Sequence, residues 1–120
     1  MKYMIMMFGK TAELWETQTP EWISGMNELI MRLDQEIKDK GEHVDGQKLA
    51  GTNAAKTVVI EDGAPVATDG PFAEAKESVV GYWIVDVDSE DRAVEIVSEI
   101  VAYTKVPMEI RQVMDEPPDA

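Results

Sequence analysis

Two stretches, Lys2–Phe8 (KYMIMMF) and Val79–Val87 (VVGYWIVDV), are apolar at nearly every position. A strand with one wet face alternates apolar and polar residues. A strand without alternation needs cover on both faces. Any fold open to this chain must therefore place both runs inside a sheet and shield both sides of it. Gly9 ends the first run. Gly81, inside the second, signals a bulge or the close approach of another backbone.

The segments between and after these runs supply the cover. Thr19-Pro20 is a helix start, because Thr can cap and Pro is tolerated at the first helical position. Trp22, Met26, Leu29, Leu33 and Ile37, with Ile23 and Ile30 beside them, then form one apolar stripe that Gly41 ends. Gly9–Thr19 reads as a polar loop whose Trp15 folds back onto the core or meets a partner subunit. Glu42–Leu49 returns as a short strand. Lys56–Glu61 and Ala64–Thr68 flank Asp62-Gly63, a strong hairpin signal, and Pro65 limits the second strand to an edge or a strand start. Pro71–Lys76 has room for one helical turn capped by Asp69 or Gly70. Ser89, followed by Glu90 and Asp91, starts a second helix with Ala93, Ile96, Val97, Ile100 and Val101 on its apolar face. Val106–Met114 is a last strand.

The order β-α-β, hairpin, β-α-β predicts an α+β fold: a ferredoxin-like split βαβ with an inserted β-hairpin. Both helices would lie on one side of one antiparallel sheet. The other side would be bare, although both apolar runs need cover there. A second copy packed face to face is the simplest solution, and a homodimer is expected. One domain over residues 1–115 and a C-terminal tail over 116–120, marked by Pro117-Pro118, suit a chain of 120 residues.

Composition narrows the partners. The net charge is −13, from 11 basic and 24 acidic residues. Such a surface argues against nucleic acid and against anionic membranes. No stretch is long and apolar enough to span a bilayer, and MKYMIMMFGK lacks the pattern of a signal peptide. A cytoplasmic protein is expected. The chain has no cysteine, which removes disulfides, thiolate metal sites and thiol nucleophiles. With one histidine and no ligand spacing, no metal and no cofactor is expected.

Between the hairpin and the second apolar run lies the densest group of special residues, Asp69-Gly70-Pro71-Phe72, followed by Glu74 and Lys76. Asp69 is a candidate general base if its surroundings raise its pKa. A cap or an Asx turn is the structural alternative. His43 is a candidate acid–base partner, since histidine titrates near neutrality, or else a packing residue. Phe72 can stack on a ligand or plug the core. Glu74 and Lys76 can line a pocket mouth or form a solvated pair. Tyr82 and Trp83 point to opposite faces of their strand, so one faces the helices and the other the dimer cavity, and Tyr82 is a candidate ligand contact there. Arg111 can bind a carboxylate or pair with an acidic residue.

The stretch TDGPFAEAKE, Thr68–Glu77, closely resembles the signature of the DGPF branch of the YCII-related family. The MKYM opening, Gly41-Glu42, Val44-Asp45-Gly46, Leu49-Ala50-Gly51, Gly81–Val87 and Glu109–Met114 extend the resemblance over nearly the whole chain. It implies a ferredoxin-like subunit in a dimeric α/β barrel with an enzyme-like small-molecule pocket at or near the dimer interface. Some YCII-related proteins resemble muconolactone-isomerase-like barrels and carry a His/Asp pair in a pocket. That implies isomerase- or lyase-type acid–base chemistry, with the Asp carried over to Asp69. The family's histidine lies on the first helix, and this chain has none between Pro20 and Lys40. The alternative the resemblance implies is a non-catalytic ligand-binding or accessory protein, since relatives of this branch are associated with sigma factors of the extracytoplasmic-function type.

Overall fold

A computed structural model describes residues 1–115; the expected tail, 116–120, lies outside the described residues. The fold is mixed α+β. The two apolar runs become the central strands β1 (Lys2–Phe8) and β5 (Val79–Asp86), paired antiparallel. Strand β2 (His43–Lys48) flanks β5 and β6 (Glu109–Gln112) flanks β1, giving the order β2-β5-β1-β6. Only the two outer strands are short and polar, as exposed edges require. The expected last strand, Val106–Met114, is paired only over Glu109–Gln112, because Val106 and Pro107 are spent leaving the preceding helix.

Two long helices, α3 (Pro20–Asp39) and α4 (Glu90–Thr104), cover one face of the sheet. Thr19 and Ser89 cap them, accepting from the N–H groups of Trp22 and Arg92. Their apolar stripes bury Met26, Leu33 and Ile37 from one helix and Ala93, Ile96, Val97 and Ile100 from the other. From the sheet, Tyr3, Ile5 and Val85 meet them, and Trp83 packs against the same core. Tyr3 pairs with Val85 and Ile5 with Trp83, so the odd-numbered residues of β1 and β5 face the helices. The helix-facing aromatic is thus Trp83, and Tyr82 points to the other side. That other side carries Met4, Met6, Tyr82 and Ile84, flanked by Asp45 and Gln47 of β2 and by Glu109 and Arg111 of β6.

The segment expected to be a loop after β1 instead forms two single-turn helices, α1 (Gly9–Ala12) and α2 (Leu14–Thr17). The sequence shows no amphipathic period there because each turn is only four residues long. Contact with the chain after the hairpin holds α1: the Gly9 N–H donates to the Ser78 carbonyl at 2.9 Å. A Cβ on Gly9 would lie 1.9 Å from the Ala75 carbonyl oxygen. Only glycine admits that approach.

Strands β3 (Lys56–Glu61) and β4 (Ala64–Asp69) form the expected hairpin. Asp62 and Gly63 both adopt positive φ, 51° and 79°, as the tight turn of a two-residue hairpin demands. The hairpin pairs chiefly with itself and reaches away from the body. The radius of gyration is 16.5 Å, against roughly 14 Å for a close-packed domain of this length. Val58 and Ile60 on one of its faces are 66% and 69% exposed. Among the described residues no helix is long and apolar enough to cross a membrane.

Candidate functional site

Two glycines open a hollow between α3 and the sheet. Gly46 of β2 lies opposite Trp83, and its missing Cβ is what lets the indole lie across β2: an added Cβ would sit 2.5 Å from the ring. Gly81, two residues back along β5, leaves no side chain between β1 and the lip of β2. At this point β5 also carries one residue more than β1: Met7 pairs with Gly81 and Phe8 with Val79, which leaves Val80 bulged. The result is a cavity of about 580 Å³, inside the range of small-molecule sites.

Its walls come from four places. Ile5 and Met7 form the floor, Ile30 and Asn27 of α3 the roof, and Trp83, Ile100 and Met108 the deep end. Trp15, from the turn of α2, closes the side. Its indole N–H donates to Asn27 Oδ1 at 3.0 Å, and its ring meets Trp22 edge-on with centroids 6.0 Å apart. The loop tryptophan does fold back onto its own chain, and there it serves as a fixed apolar plate. Lys48, opposite Gly81 at the end of β2, rises from the helix-facing side of the sheet at the lip.

The residues expected to carry chemistry are dispersed. Asp69 ends β4 at the base of the hairpin; its side chain is 89% exposed and ion-paired with Lys56. It caps nothing. The turn beyond it begins later than expected, as a 3-10 turn over Ala75–Glu77, with no side-chain cap. What stitches the junction is Gly70. Its φ of 100° suits a residue without Cβ. Its N–H donates to the Ala55 carbonyl at 2.9 Å, and its own carbonyl accepts from Thr57 Oγ1 at 2.8 Å. Phe72 is 93% exposed. It borders a shallower hollow of about 360 Å³ that shares the Leu49–Gly51 segment with the larger one. Glu74 and Lys76 are exposed beside it, and no ion pair joins them among the described residues.

His43 begins β2 under α3, with its Nε2 3.8 Å from Asp34 Oδ1, and it lines neither hollow. Tyr82 borders the larger cavity from the strand, but its hydroxyl lies on the opposite sheet face, donating to Asp45 Oδ2 at 2.8 Å. That bond, more than desolvation, raises the Tyr82 phenol and holds the Asp45 carboxyl below its ordinary value. Arg111 is on the same open face, paired with Glu109. The geometry therefore groups Tyr82 with Arg111 on the open face, leaves His43 under α3, and puts Asp69 and Phe72 together at the exposed junction after the hairpin.

Among the cavity residues that the sequence did not single out for a site are Trp15, Asn27 and Lys48. Asn27 flanks the apolar stripe, four residues after Ile23 and three before Ile30. A polar residue at that boundary was the available signal. Lys48 had none, because its neighbour Gly81 is 33 positions away and only the strand pairing joins them.

The family model of the YCII-related domain matches residues 1–117. An uncharacterized protein of Rhizobium meliloti (strain 1021) is 29% identical over 89 residues, which span 71% of this chain and 72% of that protein.

Proposed function

This chain belongs to the YCII-related family, and we propose that its role there is to bind a small, largely apolar molecule between α3 and the sheet. The carrying observation is the cavity of about 580 Å³, walled by Trp15, Trp83 and aliphatic side chains. The strand order β2-β5-β1-β6, with both long helices on one side, supports a ferredoxin-like unit over residues 1–115. The half-buried Met4 and Ile84 on the open face support pairing with a second copy into a dimeric barrel. The cavity lies on the helix side of the sheet, so each subunit of such a dimer keeps its own pocket.

Binding without turnover is the reading the walls favour. Among the described residues no Asp, Glu, His, Ser, Thr or Cys lines the cavity, and the Tyr82 hydroxyl is turned away from it. Lys48 at the lip is the one titrating side chain whose charged end is left to the cavity among the described residues, and with no carboxylate, histidine or hydroxyl beside it there it suits holding a ligand rather than relaying a proton. A non-catalytic ligand binder fits, and an accessory role beside a sigma-factor-type regulator is the family setting for one. A catalytic reading has one observation in its favour. At the base of the hairpin the Asp69 carboxylate is 89% exposed beside Lys56, which leaves it accessible to a site completed by another copy.

A thermal-shift screen of metabolites followed by recovery of the ligand tests both. A ligand that stabilises the protein and is recovered unchanged supports binding alone, whereas product formation lost in Asp69→Asn supports the catalytic reading. Gly81→Leu, which fills the cavity from its floor, should remove the stabilisation. If Gly81→Leu folds and still responds to the ligand as the natural chain does, the cavity is not the site.

A further inference from the structure

We infer that the cavity selects an acid: an apolar, preferably aromatic ring system carrying one carboxylate, with the ring against Trp15 and the carboxylate at Lys48 and Asn27. This rests on the pocket reading above and adds the chemistry of the ligand.

Charge is the first argument. The chain has 24 acidic residues against 11 basic ones, yet among the described residues the cavity wall contains no acidic residue and one lysine. Lys48, like Lys2, Lys10, Lys76 and Lys105, has no carboxylate within 4.0 Å among the described residues, whereas Arg32, Lys38, Lys40, Lys56, Arg92 and Arg111 are paired, and of the unpaired five Lys48 is the one that lines the cavity. On so acidic a surface, an unneutralised ammonium beside an acid-free hollow is a local reversal of the field.

The second argument is hydrogen-bond polarity. An indole N–H can only donate. Trp15 donates to Asn27 Oδ1, which engages that carbonyl and leaves the amide NH₂ to donate. The ammonium of Lys48 also only donates. Gln47 turns to the other sheet face, where its amide donates to Asp45, and the Tyr82 hydroxyl is used there too. The polar side-chain groups left to the cavity are chiefly donors, the Asn27 NH₂ and the Lys48 ammonium, and a carboxylate only accepts and carries the charge opposite to Lys48. The walls opposite are aromatic and aliphatic, which fixes the rest of the molecule as apolar.

The test uses a matched pair, 2-naphthoic acid and 2-naphthamide, titrated against the full chain at pH 7.5 with tryptophan fluorescence and calorimetry. The acid should bind about tenfold or more tighter than the amide, as a charge-assisted contact allows, and the ratio should shrink as salt is raised. Lys48→Met should lower acid binding to the level of the amide, and Lys48→Arg should restore the preference. Asn27→Asp keeps an acceptor for Trp15 but replaces the free donor with a like charge, so it should weaken the acid further while sparing the amide. Equal binding of acid and amide by the natural chain overturns the inference and leaves the pocket standing. A preference that survives in Lys48→Met also overturns it. Failure of both compounds to bind overturns the inference and the pocket reading together.

Discussion

Arg92→Met is the perturbation whose cost the structure defines most closely. Arg92 lies in the first turn of α4, and its guanidinium binds carboxylates from three other places. Nε and Nη2 donate to Glu42, just before β2, at 3.0 and 2.9 Å; Nη2 also reaches Glu36 of α3 at 3.2 Å; and Nη1 donates to Glu95 one turn along α4. The Arg92 and Glu42 side chains are 16% and 14% exposed, Glu36 is 32% and Glu95 69% exposed. Methionine keeps the apolar stem but strips Glu42 of its cation and leaves Glu36 only its more exposed partners, Lys40 at 3.3 Å and Arg32 at 3.7 Å. Removing one partner of a buried pair costs about 3–5 kcal/mol. The outer carboxylates here are solvated, so about 2–3 kcal/mol is the expected loss. Unfolding entropy scales to roughly 250 cal/mol/K for this length, which makes each kcal/mol about 4 °C and the total about 8–12 °C.

Urea and thermal unfolding at pH 7 read this directly, and the pH dependence adds a second check. Hydrogen bonds from Arg92, then Lys40, hold the Glu36 carboxyl below its ordinary value of 4.5. A carboxyl lowered in the folded state stabilises the fold above its unfolded pKa and stops doing so as pH falls through its folded pKa. The stability gap between the natural chain and Arg92→Met should therefore hold from neutral pH down to about 5 and narrow below about 4.5. A loss under ~0.5 kcal/mol at pH 7, the range of an exposed pair, or a gap that does not narrow in acid, would refute the argument.

Two other substitutions probe the surroundings of the cavity. Gly9→Ala forces the Ala75 carbonyl away from α1 and should cost about 1–3 kcal/mol, the range of overpacking; hydrogen exchange should show faster opening of the turn over Ala75–Glu77, and unchanged exchange there would contradict the close approach. Tyr82→Phe removes the main cause of the lowered Asp45 pKa, so the Asp45 carboxyl should titrate at higher pH by NMR. An unmoved titration would mean that the Tyr82–Asp45 bond is not formed in solution.

Much of the site's frame was legible along the chain, but its contents were not. Trp15 and Gly81 each carried a signal, an aromatic in a loop and a glycine in a strand, and each proved to be a wall or an opening. Asp69 stood out because Asp-Gly-Pro-Phe is locally dense, yet local density reports a turn. The fold uses that turn to seat a projecting hairpin through Gly70 and Thr57. Lys48 and Asn27 stood out less because their importance depends on which residues lie opposite.

The sequence by itself determined the elements: two central strands from unbroken apolar runs, two capped amphipathic helices, and a hairpin turned at Asp62-Gly63. These follow from periodicity, caps and turn chemistry, all of which act within a few residues. Only the tertiary structure decided that Trp83 faces the helices, that Gly46 and Gly81 leave a hollow, and that Lys48 stands unpaired at its lip. Those depend on strand register and on a bulge at Val80. A shift of one residue in register turns every side chain to the opposite face, and the global packing of the helices selects that register.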